Sequence, residues 1–243
     1  MEDIKKLIQS SAPDIKVKLG AATWEFVRIN AGEFVMGSPA NEAGRENGEM
    51  PQRRVWITRP FYLGRYQVTQ TQWRAIMGAN ASGAETGEDV AVTQIRYAAA
   101  REFCRKLADA LAVKATLPTE AQWEYACRAG TTTPFYTGDS EADLARAAWY
   151  RANSEGKPHA VGRKEPNAWG LCDMLGNVYE PCLDYITSFE KFGERDPVGN
   201  RFNDVGAMRG GFYMETASRC RAAFRLRTTD RFGGMGVRVA INT

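Results

Sequence analysis

The fold of this chain is decided by residues 209–227, which read RGGFYMETASRCRAAFRLR. Gly210 and Gly211 follow the first arginine and allow the backbone to turn with φ > 0. Beyond them, aromatic side chains and arginines are interleaved with small polar groups. An upstream stretch, residues 170–180, reads GLCDMLGNVYE and combines two glycines with two acids. The functional interpretation depends on Glu215 and Cys220, which lie five positions apart in residues 209–227.

Arginines are concentrated near the C-terminus. Residues 209–238 contain seven of them, and the acids in that range are Glu215 and Asp230. One interpretation is that these arginines pair with acids from elsewhere, because an unpaired buried charge is costly. The alternative is a surface that binds an anionic ligand. The acids suited to pairing are Glu120, Glu124, Asp173, Glu180 and Asp184.

Length and composition indicate a globular protein with many turns. A chain of 243 residues can form one large domain with a well-buried core, or two small ones. Because no linker, low-complexity tract or repeat divides it, we predict one domain over residues 1–243. Hydrophobic residues make up 44% and charged residues 25%, which is ordinary for such a protein. The 23 glycines and 10 prolines favour an irregular fold with long structured loops.

The charge and hydropathy patterns argue against two classes of partner. A net charge of +3 is too small to indicate nucleic-acid binding. No apolar run approaches the roughly 20 residues that a membrane span requires. The first residues lack the apolar region of a signal peptide. We therefore expect a cytoplasmic protein, unless a leader has been removed from the sequence.

The cysteines and the single histidine do not form a recognisable metal or catalytic motif. Five cysteines occur, without a C-x-x-C pair and without zinc spacing. His159 is the only histidine, so a His-rich metal site is excluded, and its Gly/Pro-bounded loop makes it a poor candidate for a catalytic triad. We expect most of the cysteines to be small buried residues. They are Cys104, Cys127, Cys172, Cys182 and Cys220.

Periodicity predicts a small number of regular elements. Helices are expected at residues 3–10, 71–77, 97–112 and 118–129, the last with a capping box formed by Thr119 and Gln122. Strands are expected at residues 24–29, 34–36, 54–58 and 61–68. The segment 130–181 shows no sustained periodicity of either kind. A stretch of that length in a compact fold is usually a functional loop region.

In their order and spacing, several motifs resemble the formylglycine-generating-enzyme (sulfatase-modifying factor) family. The resemblance runs from about Ile29 to Ala240. It implies a single α+β domain similar to a C-type lectin, with two main helices, small antiparallel sheets and much irregular loop structure. The motifs are residues 34–38 (FVMGS), 67–70 (QVTQ), 117–126 (LPTEAQWEYA), 166–167 (PN), 170–180, 209–211 (RGG) and 236–239 (GVRV).

The departure from the family's pattern that bears on activity lies at its catalytic position. Family enzymes carry two cysteines five residues apart, and here Glu215 stands at the first position and Cys220 at the second. In the enzymes the two thiolates are thought to hold copper(I), a soft ion that prefers sulfur. One thiol and one carboxylate cannot supply that site, so neither copper nor oxidase activity is expected. Cys182 is the alternative second thiol, and the copper-dependent oxidoreductase remains the alternative function.

The resemblance also implies what a non-catalytic member does. In diversity-generating retroelement variable proteins, the window after Arg-Gly-Gly is rewritten and displayed as a binding face. The same window here, residues 212–235, mixes aromatic anchors with arginine and small polar groups, as antibody paratopes do. We therefore predict a protein that binds an unknown macromolecular ligand, expected to be a protein. The candidate ligand-binding residues are Phe212, Tyr213, Met214, Glu215, Thr216, Ser218, Arg219, Phe224, Leu226, Thr228 and Phe232.

Two alternatives stay open for this window. Phe224 and Leu226, which alternate with Arg225 and Arg227, would equally suit positions in the core. The chain could also be a fixed sensory or structural module of the same family.

A calcium site is implied by the resemblance at residues 173–180. Transferred to this chain, Asp173 and Glu180 would supply side-chain oxygens, and Gly176 and Val178 would supply backbone carbonyls. Oxygen ligands from a compact loop are what Ca²⁺ prefers. The alternative is that Asp173 and Glu180 pair with arginines from the C-terminal window, which would leave no ion.

Overall fold

We describe a computed structural model of the chain, in which residues 4–79, 87, 89–185, 193–199, 206–227 and 233–243 are described. This part of the chain contains five α-helices: α1 (Ile4–Gln9), α2 (Gln70–Met77), α3 (Tyr97–Leu111), α4 (Glu120–Arg128) and α5 (Glu141–Ala147). Its strands are β1 (Asp14–Leu19), β2 (Ala22–Ile29), β3 (Gly32–Met36), β4 (Arg53–Ile57), β5 (Phe61–Gly64), β6 (Ala115–Thr116), β7 (Glu180–Pro181), β8 (Ala207–Arg209), β9 (Leu226–Arg227) and β10 (Ala240–Asn242). Two 3₁₀ turns cover Asn47–Glu49 and Ala217–Cys220.

The central sheet is five-stranded and antiparallel, in the order β1-β2-β5-β10-β6. Its last strand brings the C-terminus beside the first half of the chain, since Ala240 pairs with Leu63 on one side and Thr116 on the other. A two-stranded sheet joins β3 to β4, and a three-stranded sheet has the order β7-β8-β9. The predicted α+β class with small antiparallel sheets is thus confirmed.

The central sheet carries a hydrophobic core on each face. Successive side chains of a strand point to opposite faces, and in β5 Phe61 and Leu63 belong to one cluster while Tyr62 belongs to the other. The first cluster contains Trp123 of α4, and the second contains Phe103 of α3. All five of these side chains are at most 1% exposed. The two cores are therefore the two sides of one sheet, with one main helix on each.

Side-chain caps fix where three of the helices begin. Thr69, Thr119 and Ser140 each accept a hydrogen bond from the backbone N–H three residues later, and each is part of a capping box. A cap of this kind satisfies N–H groups that have no partner within the helix. Two of these boxes lie at predicted helices. The third begins α5, which lies in the segment where no helix was predicted.

Two further predictions at the level of single elements need correction. Strand β1 was missed, although Ile15, Val17 and Leu19 alternate with charged residues and pair with β2. The strand predicted at residues 61–68 ends at Gly64, and the chain bends at Arg65 and Tyr66. The turn brings the side chain of Gln67, which is fully buried, towards residues 173–180.

Buried asparagines order much of the irregular segment 130–181. Asn167 donates to the carbonyl of Ala126 at 2.7 Å and accepts from the N–H groups of Trp169 and Leu171. Asn177 accepts from the N–H of His159 at 2.8 Å. In this segment the asparagine side chains pair buried backbone N–H and C=O groups, which helices and sheets pair through backbone hydrogen bonds. No helix among the described residues is long and apolar enough to cross a membrane.

Candidate functional site

Arg209, at the end of β8, is the centre of a buried ionic network. Its Nε donates to Glu120 at 2.9 Å and its Nη2 to Glu124 at 3.0 Å, both from α4. Its Nη1 donates to the carbonyls of Ala222 and Phe224. The three charged side chains are 0% exposed. Arg209 therefore connects its own end of the stretch 209–227, and the backbone at Ala222 and Phe224, to α4. Removing one charged partner would leave a buried charge uncompensated.

Arg225 and Arg221 extend the network on the far side of the same stretch. Arg225 also pairs with Glu120, and its Nη1 donates to the carbonyl of Gly48 at 3.1 Å. Arg221 forms two hydrogen bonds to Glu49, of 2.5 and 2.7 Å, and one to Glu42 at 2.5 Å. The loop at residues 41–52 is therefore anchored by arginines from the C-terminal region.

Electrostatics within this network favour the charged forms. Burial acts to raise the pKa of Glu120, but the guanidinium groups of Arg225 and Arg209 outweigh it and hold that pKa below its usual value. The same balance, with Arg221 and Ser38 as donors, lowers the pKa of Glu49. Paired and hydrogen-bonded charges of this kind are the ones that interiors tolerate. Glu180 pairs with Arg238 at 2.8 Å, so the pairing interpretation of the arginines is confirmed for Glu120, Glu124 and Glu180.

Two of the acids suggested as arginine partners have other roles. Asp184 accepts backbone N–H groups from Glu120 at 2.7 Å and Gly199 at 2.5 Å. Asp173 accepts one from Gly162 at 2.7 Å, and its other carboxylate oxygen is buried without a partner. Burial raises the pKa of Asp173 to about 6 and that of Asp184 to about 7.

Between Arg209 and Arg221 the chain passes over the surface. We call residues 212–219 the surface segment. It leaves the scaffold through Gly210 and Gly211, whose φ values are 91° and 75°. Met214 is 54% exposed, and Ser218 and Arg219 are exposed as well. The segment thus presents a long apolar side chain, a hydroxyl and a cation on one short stretch.

The aromatic residues of the surface segment are less exposed than the sequence suggested. Phe212 and Tyr213 are half-buried, as are Glu215 and Thr216. Phe212 stacks on the buried ring of Tyr179 at 5.4 Å and meets Tyr213 edge-on at 5.0 Å. Stacked aromatic pairs of this geometry are favourable beyond the area that they bury. These rings therefore combine support of the segment with a partly open face.

Glu215, which the resemblance places at the family's first catalytic cysteine, accepts hydrogen bonds from two side chains. The hydroxyl of Tyr179 donates to its Oε1 at 3.0 Å, and Arg219 donates to the same oxygen at 3.2 Å. Its backbone carbonyl accepts from Arg151 at 3.0 Å. A carboxylate acting as acceptor in this way is a polar anchor for the surface segment.

Cys220 and Cys182, the cysteines nearest in sequence to Glu215, are both fully buried. Cys220 is 0% exposed, and burial, with the nearby carboxylate of Glu215, raises its pKa above the usual range. Burial raises the pKa of Cys182 as well. A thiolate, and not a thiol, is the reactive and metal-binding form. All five cysteines are free and buried, as the sequence predicted.

The calcium ligands proposed from the sequence surround a nitrogen atom. The backbone carbonyls of Asp173, Gly176 and Val178 and the carboxylate of Glu180 all lie within 3.2 Å of the Gln67 amide nitrogen. Asp173 contributes its carbonyl, whereas its side chain was predicted to bind. Among the described residues, no group of three or more His, Cys, Asp and Glu side chains is placed to hold a metal ion. These residues do not fit a bound calcium.

Phe224 is a correction to the predicted binding residues. Its side chain is fully buried in the core on the α3 face of the sheet, so it supports the fold and does not reach a ligand. Leu226, in β9, is half-buried and packs against the same core. Thr228 and Phe232 lie outside the described residues. Arg219 and Phe224 do interact, because the guanidinium lies 5.7 Å from the ring centroid.

Several residues that shape the site lie in the quoted motifs, but the sequence did not indicate their individual roles. Gln67, Arg238 and Tyr179 are fully buried and bond to residues more than 30 positions away. A buried arginine can be suspected from its acid partners, but a buried glutamine has no pattern of its own. Glu49 and Glu42 were missed as partners of Arg221 because their loop appeared simply polar.

Comparison with known proteins identifies the family. The family model of the Sulfatase-modifying factor enzyme 1-like domain matches residues 13–243. The chain belongs to this family. A formylglycine-generating enzyme of Streptomyces coelicolor is 27% identical, with 88% of each chain covered. The sulfatase-modifying factor fold predicted from the motifs is thereby confirmed.

Two solved structures of this fold superimpose closely. Treponema denticola variable protein 1 has a TM-score of 0.84 at 25% identity, covering 95% of this chain and 99% of its own. PvdO from Pseudomonas aeruginosa has a TM-score of 0.83 at 26% identity, with the same coverage. The chain is therefore similar to a protein named as variable as well as to formylglycine-generating enzymes.

A further relative is matched over only part of its length. The chaperone protein LppX of Paenibacillus barcinonensis is 29% identical over 175 residues, which are 51% of this chain and 62% of LppX. The chain thus spans less than two thirds of that relative.

Proposed function

We propose that this sulfatase-modifying factor family member is a non-catalytic protein that binds a macromolecular ligand, a protein, through its surface segment. The observation that carries the proposal is the division of residues 209–225. Their arginines at both ends are locked into buried ion pairs, while Met214, Ser218 and Arg219 between them are exposed. Such an arrangement allows the exposed residues to change without disturbing the fold.

The chemistry of the exposed residues suits protein recognition. A flexible, polarizable methionine adapts to irregular apolar surfaces, and an arginine provides directional donors. Half-buried Phe212 and Tyr213 add rigid apolar area beside them. Aromatic and arginine residues are the types that dominate the energy of protein interfaces. Thr228 and Phe232 remain predicted members of this face.

Absence of oxidase activity is the second part of the proposal. Glu215 stands where a thiolate is needed, and the remaining thiol of Cys220 is buried with a raised pKa. The purified protein should neither bind copper(I) tightly nor convert a cysteine-containing peptide. Oxygen-dependent turnover that Cys220→Ser abolishes would establish the alternative, a copper-dependent oxidoreductase of the formylglycine-generating type.

Site-specific photocrosslinking tests the binding face. A benzophenone amino acid is placed at Met214 and, as a matched control, at Val35 of β3, which is 46% exposed in a different part of the fold. In extracts of the organism that encodes the chain, we expect one discrete adduct from position 214, none from position 35, and loss of the adduct when Arg219→Ser is added. No adduct at 214, or the same adducts from both positions, would contradict the proposal.

Diversification of the face is a genomic question. If the segment is rewritten by a retroelement, the locus should encode a reverse transcriptase and a near-identical template copy of the last ~100 bases, with substitutions confined to template adenines. If a reverse transcriptase and a template are both missing from the locus, the hypervariable interpretation is wrong. A fixed sensory or structural module would then be the remaining non-catalytic function.

A further inference from the structure

Four oxygen atoms of one loop converge on a single atom. They are the carbonyl oxygens of Asp173, Gly176 and Val178 and the Oε1 of Glu180, at 3.0, 3.2, 3.0 and 3.0 Å from Nε2 of Gln67. We call these four atoms the oxygen cluster. Carbonyl and carboxylate oxygens pointing at one centre are the ligand arrangement of a hard cation. Here the centre is a neutral amide group that is 0% exposed.

Gln67 and Arg238 supply donors to every atom of the oxygen cluster. The Gln67 amide has two N–H groups for four acceptors. Arg238 adds a second nitrogen, since its Nη2 lies 3.1 Å from the Asp173 carbonyl and 2.9 Å from Glu180 Oε1, and it also donates to the Cys172 carbonyl at 2.8 Å. The N–H groups of the two nitrogens are therefore shared among these acceptors, and each oxygen of the cluster has a donor nitrogen within 3.2 Å.

The orientation of the Gln67 amide is fixed from its other end. Its Oε1 accepts from the Nδ2 of Asn177 at 2.9 Å. The side chain of Asn177 is itself held by the backbone of His159, because it accepts from the His159 N–H and donates to the His159 carbonyl. A flipped Gln67 would place its oxygen among four oxygens and its NH₂ group against another NH₂ group. The nitrogen therefore belongs in the oxygen cluster.

The charge of Glu180 is balanced without a divalent ion. Glu180 is already neutralised by the guanidinium of Arg238, which reaches its Oε2 at 2.8 Å. The indole N–H of Trp123 donates to the same oxygen at 2.6 Å. A second cation beside a fully buried guanidinium would experience like-charge repulsion in a medium of low dielectric constant.

We infer that the Gln67 amide takes the place of a bound cation and holds the loop 173–180 in position without metal. The donor set of Gln67 and Arg238 does the work that a central ion would otherwise do. It follows that the oxygen cluster is a latent cation site. Replacing the amide by a carboxylate removes both protons, adds an oxygen ligand and one negative charge, and should allow Ca²⁺ to enter.

Thermal melting with chelator and with calcium tests this inference. The wild-type protein should melt at the same temperature in EDTA and in millimolar Ca²⁺, and should contain no stoichiometric calcium. Gln67→Glu should melt several degrees lower in EDTA and regain much of the loss in Ca²⁺, with one ion bound in a calorimetric titration. Gln72→Glu is the matched control, since Gln72 donates to the Thr23 carbonyl away from the oxygen cluster, and it should not respond to calcium.

Two results would overturn the inference. Calcium that stabilises the wild-type protein, with a lower melting temperature after chelation, would show that an ion displaces the amide. A Gln67→Glu protein that is equally destabilised with and without Ca²⁺ would show that the oxygen cluster is not a latent cation site. Should Gln67→Glu not fold in EDTA, refolding it in Ca²⁺ gives the same decision, because recovery supports the inference and continued failure contradicts it.

Discussion

Arg209 and Arg219 belong to the same segment of the chain and have opposite roles. Arg209 is 0% exposed and bonds two glutamates and two carbonyls. The side chain of Arg219 is 44% exposed and pairs with the partly buried Glu215 at 3.2 Å. The first arginine holds secondary structure together across long sequence separations. The second lies where a partner could reach it. The comparison shows that fully buried and exposed side chains alternate within a few residues of this stretch.

The buried arginines explain how the surface segment is held in a fold with few regular elements. Residues 212–219 depend on anchors at both ends, through Arg209 at one side and Arg221 and Arg225 at the other. Since those anchors use α4 and the loop at 41–52, they do not depend on which side chains the surface segment carries. The predictions below change one side of the comparison at a time.

The largest effect is expected from removing the buried arginine. Arg209→Ala leaves Glu120 and Glu124 short of a partner in the core, and such a change costs about 3–5 kcal/mol. Chemical denaturation would measure the loss. Arg146→Ala is the control, because Arg146 is 49% exposed and its pairs with Asp143 and Glu165 lie at the surface. A cost of about 0–1 kcal/mol is expected there, and equal costs for the two variants would refute the distinction.

Phe224 and Phe212 extend the comparison to apolar residues. Phe224→Ala should lower the free energy of unfolding by about 3–5 kcal/mol, because it opens a cavity in the core. Phe212→Ala should cost clearly less, since the ring is half-buried and its contacts include the stack on Tyr179. Urea titrations of both variants decide the order. If Phe212→Ala proved the more damaging change, the surface segment would be part of the core.

Asp184 makes the stability of the scaffold depend on pH. Burial, with Glu120 nearby, raises the pKa of this fully buried carboxyl to about 7, well above the value in an unfolded chain. Its favourable contribution is complete at low pH and is lost as the pH rises from about 4 through 7. Relative to Asp184→Asn, the wild-type protein should lose roughly 4 kcal/mol between pH 4 and pH 8, since each pKa unit corresponds to about 1.4 kcal/mol.

Denaturation of the wild-type protein and of Asp184→Asn at both pH values checks this. The asparagine variant can lose a hydrogen bond to the backbone of Glu120 or Gly199, which shifts its stability equally at each pH. The informative quantity is therefore the change in the difference between the two proteins. A difference that is the same at pH 4 and pH 8 would rule out a titrating Asp184 in this range.

The smallest effects are expected on the surface segment. Met214→Ser and Ser218→Ala replace exposed side chains and should change the free energy of unfolding by no more than about 0.5 kcal/mol. The photocrosslinking adduct proposed above should nevertheless weaken. Stability losses as large as those at buried positions would mean that these side chains hold the fold together.

Much of the fold could be predicted from the sequence because its signals are local. The capping boxes at Thr69 and Thr119 mark α2 and α4, and the amphipathic pattern of residues 97–112 marks α3. Ser140 and Asp143 form the same kind of capping box at α5. That helix has only seven residues, which are too few to show a helical periodicity. Strand β1 was missed although its alternation is regular, because it precedes the motifs that carry the family resemblance.

The site could be predicted only in part, because its contacts join distant positions. Buried arginines need acidic partners, and the sequence analysis correctly predicted Glu120, Glu124 and Glu180 as such partners. The sequence does not show which acids lie near which arginine, so Asp173 and Asp184 were wrongly predicted as well, although their partners are backbone N–H groups. The burial of Phe224 could not be predicted either, because a residue that alternates with arginines can lie on the buried or on the exposed face of a strand.

The central claim is that residues 209–227 combine buried arginines that the fold requires with exposed side chains that can be substituted. Its most direct test is saturation mutagenesis of this stretch on a display platform, with protease resistance as the measure of folding. The account predicts that most substitutions are accepted at Met214, Ser218 and Arg219, and that almost none are accepted at Arg209, Arg221 or Arg225. Uniform intolerance across the stretch, or ready replacement of the three buried arginines, would contradict it.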